Sequence, residues 1–143
     1  MIGTVVLRHP GQKLLDPNEA TRLMHEYFYS EEHIRHVWGT PELFTGFLIG
    51  SLLQPTVRAE GYIHDEHGRI MASVMMSKMY SLHYGVYGEM VFTYVSLPYR
   101  DCPEVLRGLA NLRKNTAEKL GVTHYNVVKH ISEHTTVHRM RTV

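Results

Sequence analysis

Between Met90 and Val128 the apolar positions change period twice. Met90-Val-Phe-Thr-Tyr-Val-Ser-Leu97 is a β-branched and aromatic run, the stretch through Leu106 and Leu109 to Leu120 has helical spacing, and Val122 to Val128 is strand-like again. A polar break, Pro98-Tyr-Arg-Asp-Cys-Pro103, separates the first two runs, and Gly121 stops the helix. The pattern predicts a strand, a helix and a second strand. A strand that runs into a helix N-terminus aims unpaired backbone N–H groups and the positive end of a dipole at one point, which suits an anion such as a pyrophosphate.

Upstream, Thr4 to Arg8 predicts a short strand closed by His9-Pro-Gly11. Asp16-Pro17 reads as an N-cap with proline at the first helical position, followed by Ala20, Leu23, Met24, Tyr27 and Phe28 at helical spacing to about Tyr29. Ser30 offers the cap of a second helix through Ile34, Val37 and Trp38. Gly39-Thr-Pro41 breaks it, and a third helix runs through Leu43, Phe44, Phe47, Leu48 and Leu52. From Thr56 to Met79 the pattern becomes a hairpin, Val57 to Ile63 and Ile70 to Met79, around a turn at Asp65-Glu-His-Gly68 whose glycine fits a left-handed position. Tyr80 to Gly88 reads as a loop, and Ser132 to Val143 as one terminal helix capped by Ser132. Without a linker, repeat or low-complexity segment, residues 1–143 read as one domain.

Composition narrows the function classes. With 43% hydrophobic and 20% charged residues, 143 residues suffice for one core. The net charge is +1 and basic residues are scattered, so no nucleic-acid footprint is evident. No apolar run approaches the ~20 residues that span a bilayer, and the first residues lack the pattern of a signal peptide. The expectation is a soluble, cytoplasmic protein with no membrane partner. A single cysteine, Cys102, rules out an internal disulfide and a cysteine-built zinc site, in keeping with a reducing compartment.

In the order of its elements the chain resembles the GNAT N-acetyltransferase superfamily. Tyr94-Val-Ser-Leu-Pro-Tyr-Arg100 looks like that family's fourth strand and arginine-led exit, Leu106, Leu109 and Lys119-Leu-Gly121 like the following helix, and His124-Tyr-Asn-Val-Val128 like the fifth strand. The resemblance implies an α/β (α+β) single-domain fold, with a mixed, mainly antiparallel sheet flanked by helices on both faces. It implies transfer of an acetyl group from acetyl-CoA to a primary amine, on a small molecule or a protein, by direct attack. Backbone near Val95 and Leu97 would then hold the thioester, and the turn formed by Arg100, Asp101, Cys102, Glu104 and Val105 would hold the pyrophosphate. Glu89 would act as base. The family often draws the thiolate's proton from a tyrosine on its terminal helix; this tail has none, and His138 is the nearest titratable substitute. Many members dimerise, and an edge strand here is available to pair with a second copy.

The departures from the family pattern are as informative. Where the family's loop carries small residues, this chain has Asp101, Pro103 and Val105, which remove conformational freedom and a donor and add bulk. Asp101 and Glu104 bring negative charge, offset by Arg100 and Arg107. The competing reading has Asp101 capping the helix and Pro103 starting it with nothing bound, in an interaction or structural protein that has lost CoA binding, as in a compact viral or mobile-element protein. Glu89 would then be a solvated charge opening a strand. A third reading uses the histidines: His130-Ile-Ser-Glu-His134 matches an H-x-x-E-H zinc pattern, with His138 four residues on. If Ser132 caps a helix, however, His130 precedes it and falls out of line, leaving solvated histidines. The pairs His33 and His36, and His64 and His67, read as surface. Cys102 at a helix start reads as a passive thiol rather than a nucleophile. Met71, Met75, Met76 and Met79 read as adaptable core. Trp38, Tyr27 and Tyr29 serve equally as aromatic core or as the lining of a substrate cleft.

Overall fold

The computed structural model describes residues 2–132 and 134–143. Six strands, β1 (Ile2–Arg8), β2 (Arg58–His64), β3 (Ile70–Ser81), β4 (Gly85–Val95), β5 (His124–Ser132) and β6 (Thr135–Thr142), lie side by side in chain order. All neighbours are antiparallel except β4 and β5. That pair is parallel because helix α4 (Pro103–Leu120) carries the chain from the end of β4 back to the start of β5. The other helices, α1 (Pro17–Ser30), α2 (Glu32–Trp38) and α3 (Pro41–Phe47), fill the connection between β1 and β2, and α3 continues into a π-helical turn, Leu48–Leu53. No helix among the described residues is long and apolar enough to cross a membrane.

Strand alternation gives each sheet face its own core. On one face Leu23, Met24, Phe28 and Phe44 pack on Tyr62, Met75, Phe92 and Tyr94. On the other, Val105, Leu109, Leu112 and Leu120 of α4 pack on Ala59, Ile63, Val74 and Met76. The β3 methionines are thus divided, Met75 to the first core, Met71 and Met76 to the second, while Met79 is exposed. Two bulges shift the alternation: Ile63 pairs Ala72 but His64 pairs Ile70, so Met71 is extra on β3, and Met75 pairs Phe92 but Met76 pairs Met90, so Val91 is extra on β4 and packs with Phe92 in the first core.

Several expectations need correction. The segment from Ser132 is a strand, not a helix: Thr135, Thr136, Val137 and Thr142 are β-branched, and the run pairs antiparallel with β5 from Ser132↔Thr135 to His124↔Thr142. Tyr80 to Gly88 is mostly strand, β3 and β4 being joined through residues 82–84 with Gly85 at φ +72°. Tyr80 and Tyr87 favour the extended backbone despite the neighbouring Gly85 and Gly88 that suggested a loop. Ser30 ends α1, its hydroxyl donating to the Tyr27 carbonyl, and Glu31 occupies the cap position of α2. The hairpin turn forms as expected, with Gly68 at φ +80° and the Asp65 carboxylate accepting from the N–H groups of His67 and Arg69.

Candidate functional site

β4 and β5 meet at a single register pair, Gly88↔Tyr125, and part beyond it. The approach is close at that closure: a Cβ on Gly88 would lie 3.2 Å from Met76 Sδ and 3.3 Å from Tyr125 Cβ, so a larger residue needs those neighbours to give way by a few tenths of an ångström. The next residue on each strand faces the opposite side, toward α1. There the Asn126 side chain fills the gap: its Oδ1 accepts from the Met90 N–H at 2.9 Å, and its Nδ2 donates to Glu89 Oε2 at 2.9 Å. The Tyr87 hydroxyl also donates to Glu89 Oε2, at 2.9 Å. Among the described residues, Glu89 Oε1 has no protein partner. Burial first, then the hydrogen bond to Glu89 and the charge of that carboxylate, push the Tyr87 phenol above its ordinary range and keep it a donor at neutral pH.

A cleft of about 360 Å³ opens beside this group, lined by Ser81, Tyr84, Tyr87, Glu89, Asn126, His138, Arg139 and Met140. Pairing of Met140 with Asn126 and of His138 with Val128 gives these residues of β5 and β6 one face by strand alternation. Glu89 and His138, forty-nine residues apart in sequence, therefore border the same space. His138 reaches it from a strand rather than from the expected helix.

The exit of β4 is tied back onto the molecule. The Leu97 N–H donates to Glu26 Oε1 at 2.6 Å, and the Ser96 hydroxyl donates to the same carboxylate at 3.0 Å. The Tyr94 hydroxyl reaches it at 3.3 Å, and Arg22 Nη1 pairs with its other oxygen at 3.3 Å. Arg100 Nε donates to the Val95 carbonyl at 3.3 Å, with its guanidinium 5.0 Å from the centre of the Tyr94 ring. Asp101 does not cap α4; Cys102 holds the cap position without a side-chain cap bond, because the chain turns one residue later, at Pro103. The N–H groups of Glu104 and Val105 thus point out of an uncapped first turn. Val105 is 1% exposed with its side chain in the core, so its bulk lies beneath the helix rather than outside its end. Asp101 and Glu104 are exposed, and Cys102 is half-buried against the same core.

A second cleft, of about 830 Å³, separates α2 from the far ends of β5 and β6. Tyr27, Glu31, His33 and His36 line one wall, His130 and Thr136 the other. Tyr27 borders this cleft and also lies at the centre of an aromatic cluster, 5.5 to 5.7 Å from the rings of Tyr94, Phe92 and Phe44. Trp38 stacks on Phe47 at 4.7 Å, and Tyr29 is exposed. His130 lies on β5, bonded to Thr136, and His134 follows in the turn, so the spacing of four aligns nothing. Glu133 of that pattern lies outside the described residues. Among the described residues no three His, Cys, Asp or Glu side chains gather as a metal site.

Asn126 and Glu26 were not singled out from sequence. Asn126 left a faint signal, as a buried-phase amide inside the apolar run His124 to Val128. Glu26 left none beyond its i,i+4 spacing from Arg22.

No family profile and no curated protein sequence matches the chain. Solved structures do. The ribosomal-protein-alanine N-acetyltransferase of Brucella melitensis biovar Abortus 2308 superposes with a TM-score of 0.54 at 15% identity, over 84% of this chain and 75% of that one. A GNAT-family acetyltransferase of Staphylococcus aureus Mu50 superposes with a TM-score of 0.53 at 8% identity, over 88% and 73%. A protein described as a probable acetyltransferase gives 0.57 at 16% identity, over 92% and 82%. Identities this low speak for architecture alone, and with the six-stranded sheet, its one parallel pair and α4 between them, they establish that the chain carries the GNAT acetyltransferase fold.

Proposed function

We propose that the chain is an acetyl-CoA-dependent N-acetyltransferase acting on a primary amine by direct attack. The observation that carries this reading is the cleft beside Glu89, bordered by a carboxylate with one oxygen free of protein partners among the described residues and by an imidazole. The amine nitrogen attacks the thioester carbonyl carbon, the C–S bond breaks, and an amide and a thiolate result. Glu89 takes the proton the amine gives up, and His138 gives one to the thiolate. Acetyl-CoA supplies the activated acyl group. The uncapped first turn of α4 suits its pyrophosphate, with the N–H groups of Glu104 and Val105 as donors and Arg100 and Arg107 as nearby cations. Backbone at Val95 and Leu97 is the acyl-end partner in this reading.

A second reading, an interaction or structural protein that no longer binds CoA, draws on a specific observation. The Leu97 N–H and the Val95 carbonyl are engaged by Glu26 and Arg100, and the acids Asp101 and Glu104 flank the turn. Isothermal titration with acetyl-CoA and with CoA separates the two. Binding that Arg100→Ala abolishes supports the enzyme, and Glu89→Gln should then keep binding and lose turnover. Absence of heat at millimolar cofactor sinks the enzyme in favour of the interaction protein.

A further inference from the structure

The side chain of Asn126 does something no other described residue between β4 and β5 does. In a parallel ladder alternate N–H groups of a strand, those at i and i+2, find carbonyls on the same neighbour. Immediately after Gly88↔Tyr125 that pattern stops, and the Met90 N–H is taken by a side-chain oxygen instead. The same amide, 5% exposed, turns its nitrogen to the carboxylate of the preceding residue, Glu89. The orientation is forced by chemistry: a backbone N–H needs an acceptor and a carboxylate needs a donor, so the flipped amide would face both with the wrong group.

We propose that Asn126 is a positioning residue, which substitutes for the ladder where the strands part and fixes the Glu89 carboxylate so that its free oxygen faces the cleft. This rests on the reading of Glu89 as base. One short side chain grips two consecutive positions of β4, the backbone of Met90 and the side chain of Glu89. With Tyr87 it places two donors on Oε2, which leaves Oε1 as the basic oxygen. The titratable and charged groups around Glu89 are Tyr84 and Tyr87 from the β3–β4 hairpin and His138 and Arg139 from β6. Among the described residues no other carboxylate borders this cleft, so a change at Asn126 has a clean electrostatic signature.

Asn126→Asp tests it. The aspartate still accepts from Met90 but meets Glu89 with like charge in place of a donor. The acidic limb of the kcat/KM profile should therefore move up by about one pH unit or more, and kcat should fall at least about tenfold, with acetyl-CoA affinity kept. Asn126→Ala, which removes the donor without adding charge, should move the limb the same way by less. An unchanged limb in folded variants overturns the proposal. Two measurements stand apart from turnover, and the first of them also from the variants' folding. In the unaltered protein, NMR of the Asn126 side-chain amide should follow the same titration as the Glu89 carboxyl carbon. In Asn126→Asp, that carbon should titrate at higher pH. If the amide is blind to Glu89, the positioning role is wrong whether or not the protein transfers acetyl groups; if the amide follows Glu89 and no amine is acetylated, only the enzyme reading fails.

Discussion

Arg58 Nε lies 2.9 Å from Glu60 Oε2, and neither side chain is reached by solvent. The two alternate on one face of β2 with Tyr62, whose hydroxyl donates to Glu60 Oε1. Arg58 also donates to the carbonyls of Leu53 and Gln12, and the Leu15 N–H donates to Glu60. The network thus ties β2 to both ends of the helical insertion between β1 and β2. Removing one member leaves a buried charge alone, so Glu60→Ala should cost about 3–5 kcal/mol, read as a lower urea midpoint. A double replacement of Arg58 and Glu60 by methionine should not restore stability, because it strands the Leu53 and Gln12 carbonyls and the Leu15 N–H. Full recovery in the double variant would show that the pair acts only through its charges.

Gly61 is set by the approach of α4 to β2. A Cβ there would lie 2.5 Å from Thr116 Oγ1 and 3.0 Å from Leu112 Cδ1. Thr116 cannot swing away freely, since its hydroxyl donates to the Leu112 carbonyl inside a fully buried site. Gly61→Ala should therefore destabilise by about 1–3 kcal/mol as the helix is lifted. Thr116→Ala should recover part of that loss in the Gly61→Ala background, and additivity of the two changes would argue against the contact.

The legible parts of this fold were those where period and punctuation agree. Met90 to Val95 read correctly as strand, though β4 begins at Gly85 and Leu97 already opens a 3-10 turn, and the proline-marked start of α4 and the stop at Gly121 read correctly because proline and glycine restrict the backbone locally. The tail misled because Ser132 offered a helix cap, whereas the β-branched threonines that settle the matter gain stability only by pairing with β5. Glu89 was legible as an acid at the head of a strand run. Its partner Asn126 was not, because an amide's role depends on what lies across a gap that only the crossover through α4 creates.

Four tyrosines, Tyr27, Tyr62, Tyr87 and Tyr94, have phenols held above their ordinary range, in each case first by burial; for Tyr62 the Glu60 carboxylate adds to it. The folded state keeps these protons where the unfolded chain begins to lose them. The stabilisation is complete below the unfolded value of about 10 and declines as pH rises above it. The urea midpoint should therefore hold level up to that region and then fall, in step with tyrosinate absorbance appearing on unfolding. Tyr62→Phe should start from a lower midpoint, having lost its bond to Glu60, and fall less steeply. An equal slope in that variant would place the alkaline sensitivity elsewhere.

Glu26 joins α1 to the end of β4 and competes for the backbone that the proposed chemistry needs. Its carboxylate accepts from the Leu97 N–H, the Ser96 hydroxyl and the Tyr94 hydroxyl, while Arg22 retains Glu19 at 2.6 Å as an alternative partner. Glu26→Ala should cost about 1.5–3 kcal/mol, the value of hydrogen bonds to a charged group, and the Leu97 amide should exchange with solvent much faster. Acetyl-CoA then separates two consequences. If the thioester end of the cofactor binds this backbone, saturating acetyl-CoA restores protection of the Leu97 amide in Glu26→Ala, and the variant binds more tightly than the parent because no carboxylate has to be displaced. If Leu97 stays unprotected while the cofactor is bound, the exit of β4 is a structural tie only, and the acyl group is held elsewhere in the cleft.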